Sequence, residues 1–261
     1  MSSLHDFATW EPLLRLLRAD HAQALAAPGG EVAGLIGRQG WSVPVRMRFP
    51  EAGRAMLVSD NQEAHDAIDR VRAALTEAGI GDVAFAAEIP PSGKAVLHLF
   101  DHGPAVDPGI GNAHPGALTL VEGAVPEPWR RLPEPVPGAR PAPSVDLEVL
   151  TLGGWRGEPV SLNPLVGLPR LRTLYAGPGA LTDPREVARL TGLEFLELTP
   201  EDWRCLLDAG AVPRGLSAAA IEAPSDHDLR PIMALANELL TLWERPLITE
   251  TVVEGDLGPL P

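Results

Sequence analysis

The spacing of apolar residues changes several times along the chain, and each change predicts an element. Trp10, Leu13, Leu14, Leu17, Ala24 and Leu25 recur at helical spacing, with His21 on the same stripe as a core histidine. Thr9 is the expected N-cap, Pro12 falls in the first turn, and Pro28-Gly29-Gly30 ends the helix. Residues 42–49 alternate in period two, Val43, Val45, Met47 and Phe49 against Arg46 and Arg48. That predicts a half-exposed strand with 54–59 as its hairpin partner. Asp60 and Glu63 stand at capping-box spacing before a second helix, whose inward residues are Ala64, Ile68, Val71 and Leu75 and which Gly79 terminates. Residues 83–89 and 94–100 are a further predicted hairpin across Pro90-Pro91-Ser92-Gly93, and 117–121 one more strand. The order α-β-β-α-β-β predicts an α+β domain over residues 1–121 with a mainly antiparallel sheet, because adjacent hairpins need no long crossovers.

Seven prolines between residues 122 and 143 rule out helix and interior strand, so this stretch is expected to be an extended linker, with Trp129 pinning it to one domain. Beyond it the pattern repeats. Leu147–Leu152, Leu171–Ala176, Leu193–Leu198 and Leu216–Ile221 align, their starts 24, 22 and 23 residues apart. Leu162, Leu165 and Leu168 precede the second segment at triplet spacing, and Val187 and Leu190 the third. Asp183-Pro184 and Thr199-Pro200 are cap-plus-proline starts for short helices over 184–190 and 200–209, with Gly192 and Gly210 past their ends. Over residues 144–223 this pattern resembles the leucine-rich-repeat family. The resemblance implies parallel strands that bury their leucines jointly and hold a protein partner on the opposite face. The chain departs from the family where an Asn or Cys is usual, since Trp155, Gly179, Glu201 and Pro224 stand there. A helix over 227–243 is expected to cap the open end of the stack, and 247–253 to add an edge strand. Residues 144–261 are thus expected to form one leucine-rich-repeat domain with a C-terminal cap.

Charge narrows the function classes. The net charge is −14, which disfavours nucleic acid and favours a basic protein as partner. No apolar run is long enough to span a bilayer, and the N-terminus lacks the charge and apolar stretch of a secretory signal, so a cytoplasmic protein is expected. The single cysteine, Cys205, excludes a disulfide within the chain and a cysteine zinc cluster, and is expected to be a buried, inert thiol. One lysine, Lys94, beside twenty arginines points to a GC-rich bacterial genome.

Two groups of residues are candidates for function. Alternation in the repeat strands sets Thr151, Thr173, Tyr175, Phe195, Glu197 and Glu222 on the open face, where aromatic anchors and carboxylates suit a partner surface. As a partner-binding module, an adaptor or an immunity protein against a basic toxin, the chain would need neither a cofactor nor a catalytic residue. The alternative is a metal-dependent enzyme built on His98, Asp101, His102, Asp107 and His114, nitrogen and oxygen ligands on one strand end and its loop. Gly109-Ile110-Gly111 lacks the lysine of a phosphate loop, and no Gly-x-Ser-x-Gly nucleophile elbow occurs.

Overall fold

The computed structural model describes residues 3–25, 31–37, 44–47, 56–57, 62–80, 82–101, 117–121, 146–153, 158–222 and 229–258. The chain is mixed α and β and divides into two units. The first comprises Met1–Pro108, Pro224–Asn237 and Pro246–Pro261, the second Gly109–Ala223 and Glu238–Arg245. This differs from the expected division at residues 121 and 144: residues 109–121 join the second unit, and the chain's last stretch joins the first. The linker expected over 122–143, with Trp129, lies outside the described residues.

Among the described residues the first unit holds a six-stranded antiparallel sheet, two whole α-helices and the start of a later one. Helix α1 spans Phe7–Leu25, starting before the expected Thr9 because the Asp6 carboxylate accepts from the Ala8 amide (3.0 Å). Strands β1 (Glu31–Gly37), β2 (Pro44–Met47) and β3 (Met56–Leu57) precede α2 (Gln62–Ala78). The hairpin β4 (Asp82–Glu88) and β5 (Lys94–Asp101) follows, and β11 (Thr249–Asp256) returns from the far end of the chain. The strand order is β11-β5-β4-β1-β2-β3, every pairing antiparallel. Strand β1 was not predicted, because Gly34 and Gly37 interrupt its apolar pattern.

Alternation along these strands serves two apolar faces. Val32, Ile36, Val83, Phe85, Leu97, Leu99 and Val253 form one core with Trp10, Leu13, Leu14 and Leu17 of α1 and Val71 and Leu75 of α2. The Trp10 and Phe85 rings meet at 5.2 Å, and the Trp10 indole N–H donates to the Leu4 carbonyl (2.8 Å). On the other face Ala33, Ala84, Ala86 and Phe100 are also buried. There Arg230 lies 3.5 Å from Glu31, 3.9 Å from Glu88 and 4.0 Å from Glu250, which sets the start of α4 (Leu229–Leu242) over that face. The Asn237 side chain then brackets Ile248, donating to its carbonyl (3.0 Å) and accepting from its amide (2.7 Å).

The second unit holds a five-stranded sheet in the order β6-β10-β9-β8-β7. Strands β7 (Val149–Leu152), β8 (Thr173–Ala176), β9 (Phe195–Leu198) and β10 (Ala218–Glu222) are parallel and in register, with Leu150, Leu174, Leu196 and Ala219 in one row. Strand β6 (Ala117–Val121) pairs antiparallel with β10. The predicted strand 117–121 therefore forms, but in the second sheet, and the place beside β10 expected for a capping helix belongs to it. Helix α4 instead contributes 229–237 to the first unit.

Return segments join the parallel strands: a 3-10 turn at Asn163–Leu165, another at Pro184–Arg189 where a helix was expected, and helix α3 (Pro200–Asp208). Asp183 and Thr199 cap the last two as their types predict, accepting from the amides of Arg185 and Asp202. Glu186 satisfies the first. Its carboxylate accepts from the Ser161 hydroxyl (2.9 Å), the Leu162 amide (2.6 Å) and the Asn163 side chain (2.6 Å). Leu150, Leu152, Leu174, Leu196, Leu198 and Ile221 are all buried.

Candidate functional site

The register of the parallel strands assembles the predicted rows. Val149, Thr173, Phe195 and Ala218 form one, and Thr151, Tyr175, Glu197 and Ala220 the next, with Glu222 one residue past the partner of Leu198. These rows are not open, as had been expected. Thr173 is 1%, Tyr175 3%, Phe195 0% and Glu197 7% exposed, leaving Thr151 and Glu222 as part-exposed members. Adjacent rows that carry Phe and Tyr gain more from burial than from contact with water. The two rings pack against each other at 5.2 Å and 44°.

Carboxylates gather where these strands end. Burial, with Glu222 nearby, pushes the Glu197 carboxyl up to about 8. Burial raises Glu222 as well, and Glu201 and Asp202 add to the effect. Asp202 is raised by burial, which the Thr199 hydroxyl partly offsets and Glu201 reinforces. Its Oδ2 is buried and has no hydrogen-bond partner among the described residues. Tyr175 is held above its ordinary range by burial and by the Glu197 charge. Glu222 thus raises the proton affinity of Glu197, Glu201 and Asp202 raise that of Glu222, and Glu201 raises that of Asp202, linking β9, the start of α3 and β10. A cationic group arriving there would relieve the repulsion and draw the protons off.

No protein family, curated protein or solved structure matches this chain.

Two members of the histidine and aspartate set, His98 and Asp101, fall in the other unit. His98 lies on β5 with Nδ1 2.7 Å from the Glu250 carboxylate on β11, and Asp101 ends the same strand. His102, Asp107 and His114 lie outside the described residues. Among the described residues, no three His, Cys, Asp or Glu side chains are grouped so as to hold a metal ion. Cys205 is half-buried on α3 rather than buried. His21 is buried at a kink in α1, and burial lowers its proton affinity, which fits a neutral core side chain. No described helix is long and apolar enough to cross a membrane.

Sequence reasoning missed Glu201 and Asp202 as part of the acidic group and Glu250 as the partner of His98. The first pair carried a signal: Thr199-Pro200 starts a helix, so the next two residues must lie beside the end of β9. The partner of His98 carried none, since it is set by strand pairing across some 150 residues of sequence.

Proposed function

We propose that this chain is a non-enzymatic binding protein of the bacterial cytoplasm, and that its second unit is a short leucine-rich-repeat-type stack that receives a basic protein. The observation that carries the reading is the crowding of four acidic side chains, Glu197 and Glu222 on adjacent strands and Glu201 and Asp202 at the start of α3. Repulsion of this kind is relieved by a lysine or arginine from outside, and a net charge of −14 adds long-range attraction for such a partner. The in-register strands support the repeat half of the reading, because short strands returning at 22–24 residues share one row of leucines. The buried Tyr175 and Phe195 brace the sheet, so contact falls to the part-exposed rim, Asp202 and Glu222, and to the exposed Glu201. An adaptor or a toxin-neutralising immunity protein would use such a surface.

A photo-cross-linking residue at position 201, compared with one at the exposed position 70 of α2, tests this in the native host. A basic protein should be captured at 201 alone, and Glu222→Lys should abolish the capture. Equal capture at both positions, or capture that survives Glu222→Lys, removes the acidic rim from the account.

A further inference from the structure

The first unit offers a second surface, independent of the reading of the parallel sheet. Strand β11 is the last strand of the six-stranded sheet, and among the described residues no strand pairs with its outer edge. It pairs with β5 one to one from Thr249 to Asp256, without bulge or proline, so the alternate residues whose backbone groups face away from β5 set a regular row of donors and acceptors along that edge. Natural edges are usually shortened, bulged or lined with lysine to prevent pairing with another chain. This edge carries Glu250, Val252, Glu254 and Asp256 on one face, all exposed, with Val252 at 51%.

The C-terminal end of the strand is also anchored to the rest of the unit. The Phe7 ring lies where a Cβ on Gly255 would stand, the Leu257 amide donates to the Gly93 carbonyl (2.8 Å), and Arg15 and Arg18 donate to the carbonyls of Leu257 (2.9 Å) and Gly258 (2.6 Å). A template already ordered leaves only the incoming strand to lose its freedom on binding.

Charge decides the occupant. Two copies of β11 paired about a two-fold axis at Val252 or Val253 would set Glu250 opposite Glu254 or Asp256, and like charges directly opposite are destabilising. An added strand with Lys or Arg at alternate positions meets carboxylates instead, with an apolar residue beside Val252.

We propose that the outer edge of β11 accepts an extended, basic segment of a partner protein by strand addition, Glu254 and Asp256 pairing with its cationic side chains and Val252 with an apolar one. The probe is a synthetic peptide as long as β11 in which Lys and Val alternate, except that the Lys opposite Val252 is replaced by Val, titrated against the full chain. A control peptide of equal charge carries Pro at its central Val, which removes a backbone donor without changing the electrostatics. The alternating peptide should bind at least about tenfold more tightly than the control, and Glu254→Lys should weaken it by about tenfold. Amide exchange should slow along residues 249–256 on binding. Val252→Lys, an exposed change that leaves the core untouched, should weaken binding to a similar degree. Equal affinity for the two peptides, or protection elsewhere than on β11, overturns the proposal. A concentration-dependent dimer in sedimentation that Val252→Lys abolishes would assign the edge to a second copy and overturn it as well.

Discussion

Glu197 combines an ordinary position on a strand with an environment that resists its charge. Burial and Glu222 hold its carboxyl up to about 8, against the usual carboxylate range in an unfolded chain. The folded protein therefore binds this proton more tightly than the unfolded one. The stability that this contributes is present at acid pH and is lost as pH rises from the unfolded value, near 4.5, through about 8. The full window corresponds to several kcal/mol, on the order of 5. Urea unfolding at pH 5, 6.5 and 8.5 should show that decline. Glu197→Gln, which keeps the shape and removes the charge, should flatten it and leave the variant more stable than the parent at pH 8.5. Parallel profiles for the two proteins would mean that Glu197 is ionised at little cost. Tyr175, buried and in ring contact with Phe195, belongs to the same packing. Tyr175→Ala should lower stability by about 3–5 kcal/mol in the same assay, in line with losses of large buried side chains. A loss below about 1 kcal/mol would mean that the face is open in solution.

Among the elements, the parallel strands were the most legible in the sequence. Three near-equal spacings set both the register and the buried leucines, because one short strand cannot hide its own apolar side. Leu174→Ala or Leu196→Ala should each cost about 2–5 kcal/mol, whereas the exposed Leu242→Ala should change stability by less than about 0.5, as chemical denaturation would report. Similar losses at all three positions would contradict the assigned burial. The hairpin of β4 and β5 and both caps at Asp183 and Thr199 were legible for the same reason: each depends on residues close in sequence. Two features were not. Strand β1 hides behind Gly34 and Gly37, and only its long pairing with β4 makes it a strand. The pairing of β6 with β10 joins segments a hundred residues apart. The candidate site divided along the same line, since register placed Tyr175 and Glu197 in one row, whereas whether a face is covered depends on chain outside it.

At the scale of the whole molecule, the order of units along the chain matters. The second unit, apart from residues 238–245, occupies 109–223, between two parts of the first. Strand β11 supplies Val253 to the core of the first unit and covers the edge of β5, and the residue after it, Leu257, joins that core. Arg18, itself buried, would keep only the Pro91 carbonyl as acceptor among the described residues if Gly258 were gone. A chain cut after Arg245 should therefore lose amide protection throughout β4 and β5 and tend to aggregate through the opened edge, while β7–β10 keep theirs. Unchanged protection in β4 and β5 would show that β11 is an accessory rather than a member of the sheet.

The same return of β11 sets a calendar for synthesis. Domains generally fold as units while the ribosome is still working, those nearer the N-terminus first. Here β5 waits for a partner strand translated some 150 residues later, and the segment made in between has its four parallel strands complete before then. For that interval the nascent chain carries β5 with an uncovered flank, a period in which a chaperone able to shield a bare strand would raise the yield of native protein.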